Sequence, residues 1–313
     1  MIISASRRTD IPAFYTPWFM NRVRAGFLLT RNPFNSNQIS RVSLLPADVD
    51  AIVFWTRNPR MLMTHINELD DFGFNYYFQY TITAYPKLIE ASVPRPHRAI
   101  DTFIKLSDRV GPDRVIWRYD PILVSNLVDL DEHKRVFAKI ASMLYGKTKK
   151  VVISFSDFYK KTERNLSSVD GLRYVDITQN RDMLTDLVTY MSFVARKYDM
   201  LIETCAEEID TKELGVTHGK CIDDNLINKL FAVPVKNIKD RNQREACGCI
   251  KSIDIGVYNT CLHECSYCYA TFNKQSVLEN KAKHDPFSPF LIGGVEGVDE
   301  KLLVPPIIQT SLF

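Results

Sequence analysis

The sequence predicts an α/β protein built as a single parallel (β/α) barrel, partial or nearly closed. Three observations carry this reading. Short apolar runs rich in β-branched and aromatic residues recur along the chain, each closed by polar residues. Stretches with helical periodicity lie between them. No Pro-, Gly- or Ser-rich linker divides the 313 residues, and one barrel core accommodates a chain of about this length. Alternating β and α segments imply a parallel sheet with right-handed crossovers. Seven such units suit a closed or nearly closed ring, with an open doubly wound sheet as the alternative.

The expected strands span 2–6, 51–56, 76–81, 114–119, 150–155, 200–204 and 252–258. Most are continuous apolar runs rather than alternations, as for strands buried on both faces. Val136, Phe137, Ile140 and Leu144 form one helical stripe, and Leu184, Leu187, Val188 and Met191 form another. The VPRPH segment at 93–97 reads as a loop before a helix. Residues 284–294 read as irregular chain, and the apolar tail to Phe313 is expected to pack back on the body. The expected organisation is therefore a barrel over 1–283, with a cysteine-rich segment at 205–268, and a C-terminal tail over 284–313.

Composition narrows the function classes. With 45% hydrophobic and 25% charged residues, the chain is an ordinary globular protein, which excludes disorder, collagen and coiled coil as its main architecture. A net charge of +3 is too small to argue for nucleic acid. No apolar run reaches the roughly 18 residues of a membrane span. The opening MIISASRRTDIP has the wrong order of regions for a signal peptide. A soluble cytoplasmic protein without a membrane partner is expected. Neither a GxGxxG nor a GxxxxGK[ST] motif is present.

Parallel βα architectures place active sites at the carboxyl ends of the strands. Those ends here hold Ser6, Arg7, Arg8, Thr9 and Asp10; Arg57 and Asn58; Gln79, Thr81 and Thr83; Arg118, Tyr119 and Asp120; Ser154, Ser156 and Asp157; Glu203 and Cys205. Helix capping accounts for a share of the Asp and Ser residues. It does not account for Arg at three strand ends, which suits an anionic group such as a carboxylate or phosphate.

All seven cysteines lie after residue 204. In a long, odd-numbered chain without a secretory signal they read as metal or redox ligands rather than as a disulfide framework. Cys261, Cys265 and Cys268 are spaced CxxxCxxC in a loop that follows a strand. Three thiolates at this spacing can bind three irons of a cubane cluster and leave the fourth open to a small molecule. His263, inside the loop, keeps a zinc site as an alternative. Cys205, Cys221, Cys247 and Cys249 remain, the number that closes a tetrahedral zinc site or a second [4Fe-4S] cluster. The Gly between Cys247 and Cys249 lets both thiolates turn to one metal. Buried thiols are the competing reading for one or two of the four.

The phrase TCLHECSYCYA, with Tyr267 before the last cysteine, resembles the cluster loop of the radical S-adenosylmethionine superfamily. The resemblance implies a [4Fe-4S] cluster on Cys261, Cys265 and Cys268, with Tyr267 near the adenine of S-adenosylmethionine. It also implies cleavage of that cofactor to a 5′-deoxyadenosyl radical that abstracts hydrogen from an unidentified substrate. An electron donor such as flavodoxin or ferredoxin is implied as partner. The loop usually follows the first strand of the barrel; here it lies near the C-terminus, which implies a circular permutation. On that basis Asp10 is expected at the amino group of the cofactor. Arg7, Arg8 or Arg118 is expected at its carboxylate, and Ser154 and Ser156 at its ribose. The superfamily's GGE motif is absent at 6–10; GGVE at 293–296 lies in the tail. From end to end, through ASRRTDIPAF, FWTRNP, WRYDPI and CGC, the chain also resembles the uncharacterised bacterial family DUF1848.

Two other readings compete. One is a non-catalytic iron–sulfur or zinc protein. The other is a nucleic-acid repair or modification enzyme, suggested by basic residues at 147–150 and 160–164 interleaved with Phe155, Phe158 and Tyr159. A solvated surface is the preferred explanation of those charges.

Overall fold

The structure, a computed structural model, describes residues 1–306. Its strands are β1 (Ile2–Ala5), β2 (Phe27–Asn32), β3 (Asn35–Ser43), β4 (Ala51–Thr56), β5 (Tyr76–Thr81), β6 (Val115–Ile122), β7 (Val124–Ser125), β8 (Lys150–Phe155), β9 (Tyr174–Val175), β10 (Leu201–Thr204), β11 (Thr217–His218) and β12 (Ile253–Asp254). Eight of them form one parallel sheet in the order β11-β10-β8-β6-β5-β4-β1-β12. From β1 to β11 the order follows the sequence. β12 is the exception and lies outside β1, with Ile3 opposite Ile253 and Ser4 opposite Asp254. An α/β protein with a large parallel sheet is thus what the sequence predicts.

Side-chain alternation sorts the sheet residues onto two faces. Ile3, Ala5, Ile52, Phe54, Phe78, Tyr80, Trp117, Tyr119, Val151 and Ile153 point to one face. There they pack on helices Thr16–Ala25, Pro96–Val110, Leu130–Met143 and Arg181–Lys197. Ile2, Ala51, Val53, Tyr77, Ile116 and Val152 point to the other, against Cys221, Ile222, Ile227, Cys247, Cys249 and Ile250. Both faces are therefore buried, one by helices and one by the chain between β10 and β12. Each large side chain so buried contributes about 1.5–3 kcal/mol.

Both expected helical stripes fall in helices, and the loop at 93–97 gives way to a helix beginning at Pro96. The strand expected over 252–258 is shorter. Its ladder ends where Asp254 turns its carboxylate onto the N–H groups of Arg7 (2.9 Å) and Gly256 (3.0 Å). The antiparallel β2–β3 hairpin was not foreseen. It supports the tail: Leu29 N–H donates to Pro289 O at 2.9 Å, and Arg41 donates to Leu302 O at 2.9 Å and Val304 O at 2.6 Å. Residues 307–313 lie outside the described residues.

Candidate functional site

The cysteine triplet sits in the loop after β12, at the carboxyl end of the sheet, and each thiol is half-buried and free of disulfides. The loop is fixed from three sides. Asp10 caps the helix Ile11–Phe14 through Ala13 N–H (2.9 Å), accepts Arg57 N–H (2.7 Å) and lies 2.7 Å from His263 Nε2. Chain following β5 runs beside the loop, where Ser92 N–H donates to His263 O (3.0 Å) and Ser266 N–H to Ile89 O (2.9 Å). Beneath it, Arg57 pairs with Glu90 at 2.7 Å, and both bond the hydroxyl of Tyr267. Burial pushes the Cys261 thiol up to about 12, with Cys268 and Asp10 adding to it. Cys265 is also raised by burial, against the pull of Arg57 and with Glu90, Cys268 and Cys261 adding. The three thiols thus feel one another, and a cation among them would relieve the repulsion.

Capping explains Asp10, as sequence reasoning allowed, and the same carboxylate orients His263. His263 Nδ1 is buried with no partner. Tyr267 is buried among Tyr85, Ile89, Leu123, Val128 and Leu166. Arg8 lies over the Tyr258 ring at 5.1 Å. Arg7 and Arg118 flank the Trp55 ring at 5.3 and 5.0 Å. Two strand-end guanidinium groups have partners within the chain, Arg57 with Glu90 and Arg118 with Asp120 (2.8 Å), while Arg7 Nη2 is buried without one. Ser154 bonds Asp120, whose carboxyl Arg118 and Ser154 hold low against the upward push of burial. Ser156 Oγ is buried without a partner.

Cys205, Cys221, Cys247 and Cys249 come together on the sheet face opposite the helices. Cys221 Sγ lies 3.0 Å from Cys205 Sγ, and Cys247 and Cys249 pack in the same cluster. Arg118 Nη1 donates to Cys221 Sγ at 2.7 Å, and Ile222 N–H donates to Cys249 Sγ at 3.4 Å. Tyr77 and Gln79 hold the Cys221 carbonyl at 2.7 and 2.8 Å. Hydrogen bonds from Cys221 and Cys247 draw the Cys249 thiol far down, while Cys221 and Cys247 move up. Among the described residues no three His, Cys, Asp or Glu side chains stand ready around a common point for a metal.

Two cavities open near these groups. One, about 610 Å³, borders Cys261 and Cys265 and is lined by polar residues including Asn165, Ser168, Asp170, Glu264 and Lys274. Its size falls in the range of small-molecule sites. Arg7, Arg8, Asp10, Arg118, Ser154, Ser156 and Tyr267 are not among its lining residues. The other, about 400 Å³, lies between the ends of β8 and β10, beside Cys205 and Cys247, and Ser156, Glu207 and Arg244 line it. Burial pushes the Glu207 carboxyl up to about 7. Sequence reasoning missed the parts played by Glu90, Trp55 and Asp254 and, in the larger cavity, by Asn165, Ser168, Asp170 and Lys274. Each is brought to the site by strand register or by chain distant in sequence.

The basic stretches are engaged internally. Lys147 pairs with Asp108 at 2.5 Å, Lys150 with Glu203 at 2.9 Å, and Lys161 donates to Tyr269 O at 3.1 Å. Phe155 is buried, and Phe158 stacks on Tyr174 at 4.9 Å. No helix among the described residues is long and apolar enough to cross a membrane.

No curated protein and no solved structure matches the chain. A family model does match, over residues 2–270, which takes in β1, every strand between, and the complete cysteine triplet; the chain belongs to the family described as a domain of unknown function, DUF1848.

Proposed function

We propose that this protein is an iron–sulfur enzyme of the radical S-adenosylmethionine type, with a [4Fe-4S] cluster on Cys261, Cys265 and Cys268 and a substrate still to be identified. The observation that carries the reading is the placement of the CxxxCxxC thiols at the carboxyl end of a parallel sheet, with two of them bordering a cavity of about 610 Å³. The residues fit the group. Three mutually repelling thiols are held on a loop braced by Asp10, Glu90 and Arg57, and a site one ligand short keeps an iron open. When bound, the cluster supplies the electron that cleaves S-adenosylmethionine to a hydrogen-abstracting radical. The chain's own part is to bind and orient. Asn165, Ser168 and Asp170 offer hydrogen-bonding groups to a ribose or an amino group, beside the Lys274–Glu264 ion pair at 3.0 Å. The buried Arg57–Glu90–Tyr267 group fixes the loop.

The sheet order supports a partial parallel barrel that is circularly permuted. β12, which leads into the cysteine loop, takes the place before β1 that the first strand of the superfamily's barrel would take. Unbridged cysteines and an oxygen-sensitive cluster suit a reducing compartment, the cytoplasm. A flavodoxin or ferredoxin would supply the electron.

The test is anaerobic. Reconstituted protein reduced with dithionite is expected to convert S-adenosylmethionine to 5′-deoxyadenosine and methionine, and Cys261→Ala, Cys265→Ala or Cys268→Ala to abolish it. Absence of 5′-deoxyadenosine from the wild-type protein at full iron loading overturns the reading.

A further inference from the structure

We infer that Cys205, Cys221, Cys247 and Cys249 hold a second, fully ligated [4Fe-4S] cluster, on the sheet face opposite the helices. This goes beyond the function proposed above and does not depend on it.

Three observations carry the inference. The four cysteines come from three separate stretches of chain, at the end of β10, in the loop before the helix Asp224–Phe231, and at 247–249. They pack into one cluster, in which Cys221 Sγ lies 3.0 Å from Cys205 Sγ. Gly248 permits this, since a Cβ there would stand 3.1 Å from the Lys220 side chain and 3.3 Å from Gly219 O. Tetrahedral ligands at about 2.3 Å from one metal stand under 4 Å apart. The Cys205–Cys221 pair, at 3.0 Å, therefore needs to part by less than about 1 Å to share a zinc ion, and by a few ångströms to share a cubane.

The second observation is the pair of donors aimed at sulfur: Arg118 on Cys221 at 2.7 Å and the Ile222 N–H on Cys249 at 3.4 Å. Neutral thiols need no guanidinium donors, whereas thiolates bound to a metal are stabilised by N–H groups of this kind.

The third separates a cluster from zinc. Trp55 Nε1 and Arg7 Nη2 are buried donors without partners, and Trp55 packs against this cysteine group between Arg7 and Arg118. A four-thiolate zinc ion offers them only thiolates, two of which Arg118 and the Ile222 N–H already engage. The bridging sulfides of a cubane are acceptors, and hydrogen bonds to them set the properties of such clusters. The spacing also lacks the C-x₂₋₄-C pairs of structural zinc sites.

The experiment is iron, sulfide and zinc analysis of the triple variant Cys261→Ala/Cys265→Ala/Cys268→Ala, purified and reconstituted without oxygen. The expected result is about four irons and four sulfides per chain, with visible absorption that S-adenosylmethionine does not perturb. Adding Cys249→Ser should remove most of that iron. One zinc without sulfide, or no metal at all in folded protein, overturns the inference. Should the triple variant not fold, the reconstituted wild-type chain is compared with its Cys249→Ser variant: a loss of about four irons supports the second cluster, an unchanged count overturns it. Failure of the function proposed above shows instead as missing 5′-deoxyadenosine and leaves this difference unchanged.

Discussion

At the scale of single residues, the buried polar groups divide into those the fold has satisfied and those it has left open. His133 belongs to the first kind. Its Nε2 donates to Leu123 O at 3.1 Å and its Nδ1 accepts from Tyr119 at 2.8 Å, so the neutral ring is fully used. Burial pushes its pKa down from 6.5 to about 4. The unfolded chain binds a proton near 6.5 that the folded chain refuses until about 4, so stability from this group is present above 6.5 and is lost as pH falls toward 4. The loss reaches about 3 kcal/mol at roughly 1.4 kcal/mol per pKa unit. Urea titrations of wild type and His133→Gln at neutral and acidic pH should show the variant losing less stability in acid; equal losses would remove His133 as the cause. Arg7 Nη2, Trp55 Nε1, Ser156 Oγ and His263 Nδ1 belong to the second kind. All four lie at the carboxyl end of the sheet or in the loops above it, and buried donors and acceptors left open in this way mark places built for something else.

At the scale of elements, the junction of β1 and β12 carries the cysteine loop, and Gly256 makes it possible. A Cβ at Gly256 would fall 2.0 Å from Ser6 Oγ and 2.6 Å from Ser6 Cβ. Ser6 cannot step aside freely, because its hydroxyl donates to Asp254 at 2.6 Å while accepting from Arg8 N–H at 2.9 Å. Gly256→Ala is therefore expected to cost about 1–3 kcal/mol through overpacking and to lower the iron retained by the triplet. A thermal melt and an iron count check both, and an unchanged variant would mean that β12 is looser than drawn. Seven of the eight sheet strands were legible in the sequence because double burial writes continuous apolar runs. β11, two residues long, left no run to find. The β2–β3 hairpin was missed because QISRVS at 38–43, within its second strand, is largely polar, with only Ile39 and Val42 turned to apolar neighbours. The cysteines were legible from type and spacing. Their surroundings were not, because Glu90, Trp55 and Asn165 reach the site from positions that share no local pattern with it.

At the scale of the whole molecule, β12 joins an ordered succession of strands at the wrong end, and time enters the structure through that fact. Ser4 and Asp254 bond at 2.9 Å although 250 residues separate them. A ribosome adding about 5–20 residues per second delivers the second partner some 12–50 s after the first. Throughout that interval β1 exposes a bare edge, with Ser4 and Ser6 unpaired, a template for pairing with other chains. Nascent chains arrested at residue 240, still lacking β12, are expected to be protease-sensitive at 1–10 and to bind chaperones, and chains released after residue 306 to be protected there. Equal protection at both lengths would show that β1 is secured without β12. The iron loading proposed for Cys261, Cys265 and Cys268 would therefore come late in synthesis: a product that stops before residue 268 lacks part of the ligand set, and one that stops before residue 253 lacks the strand that seats it.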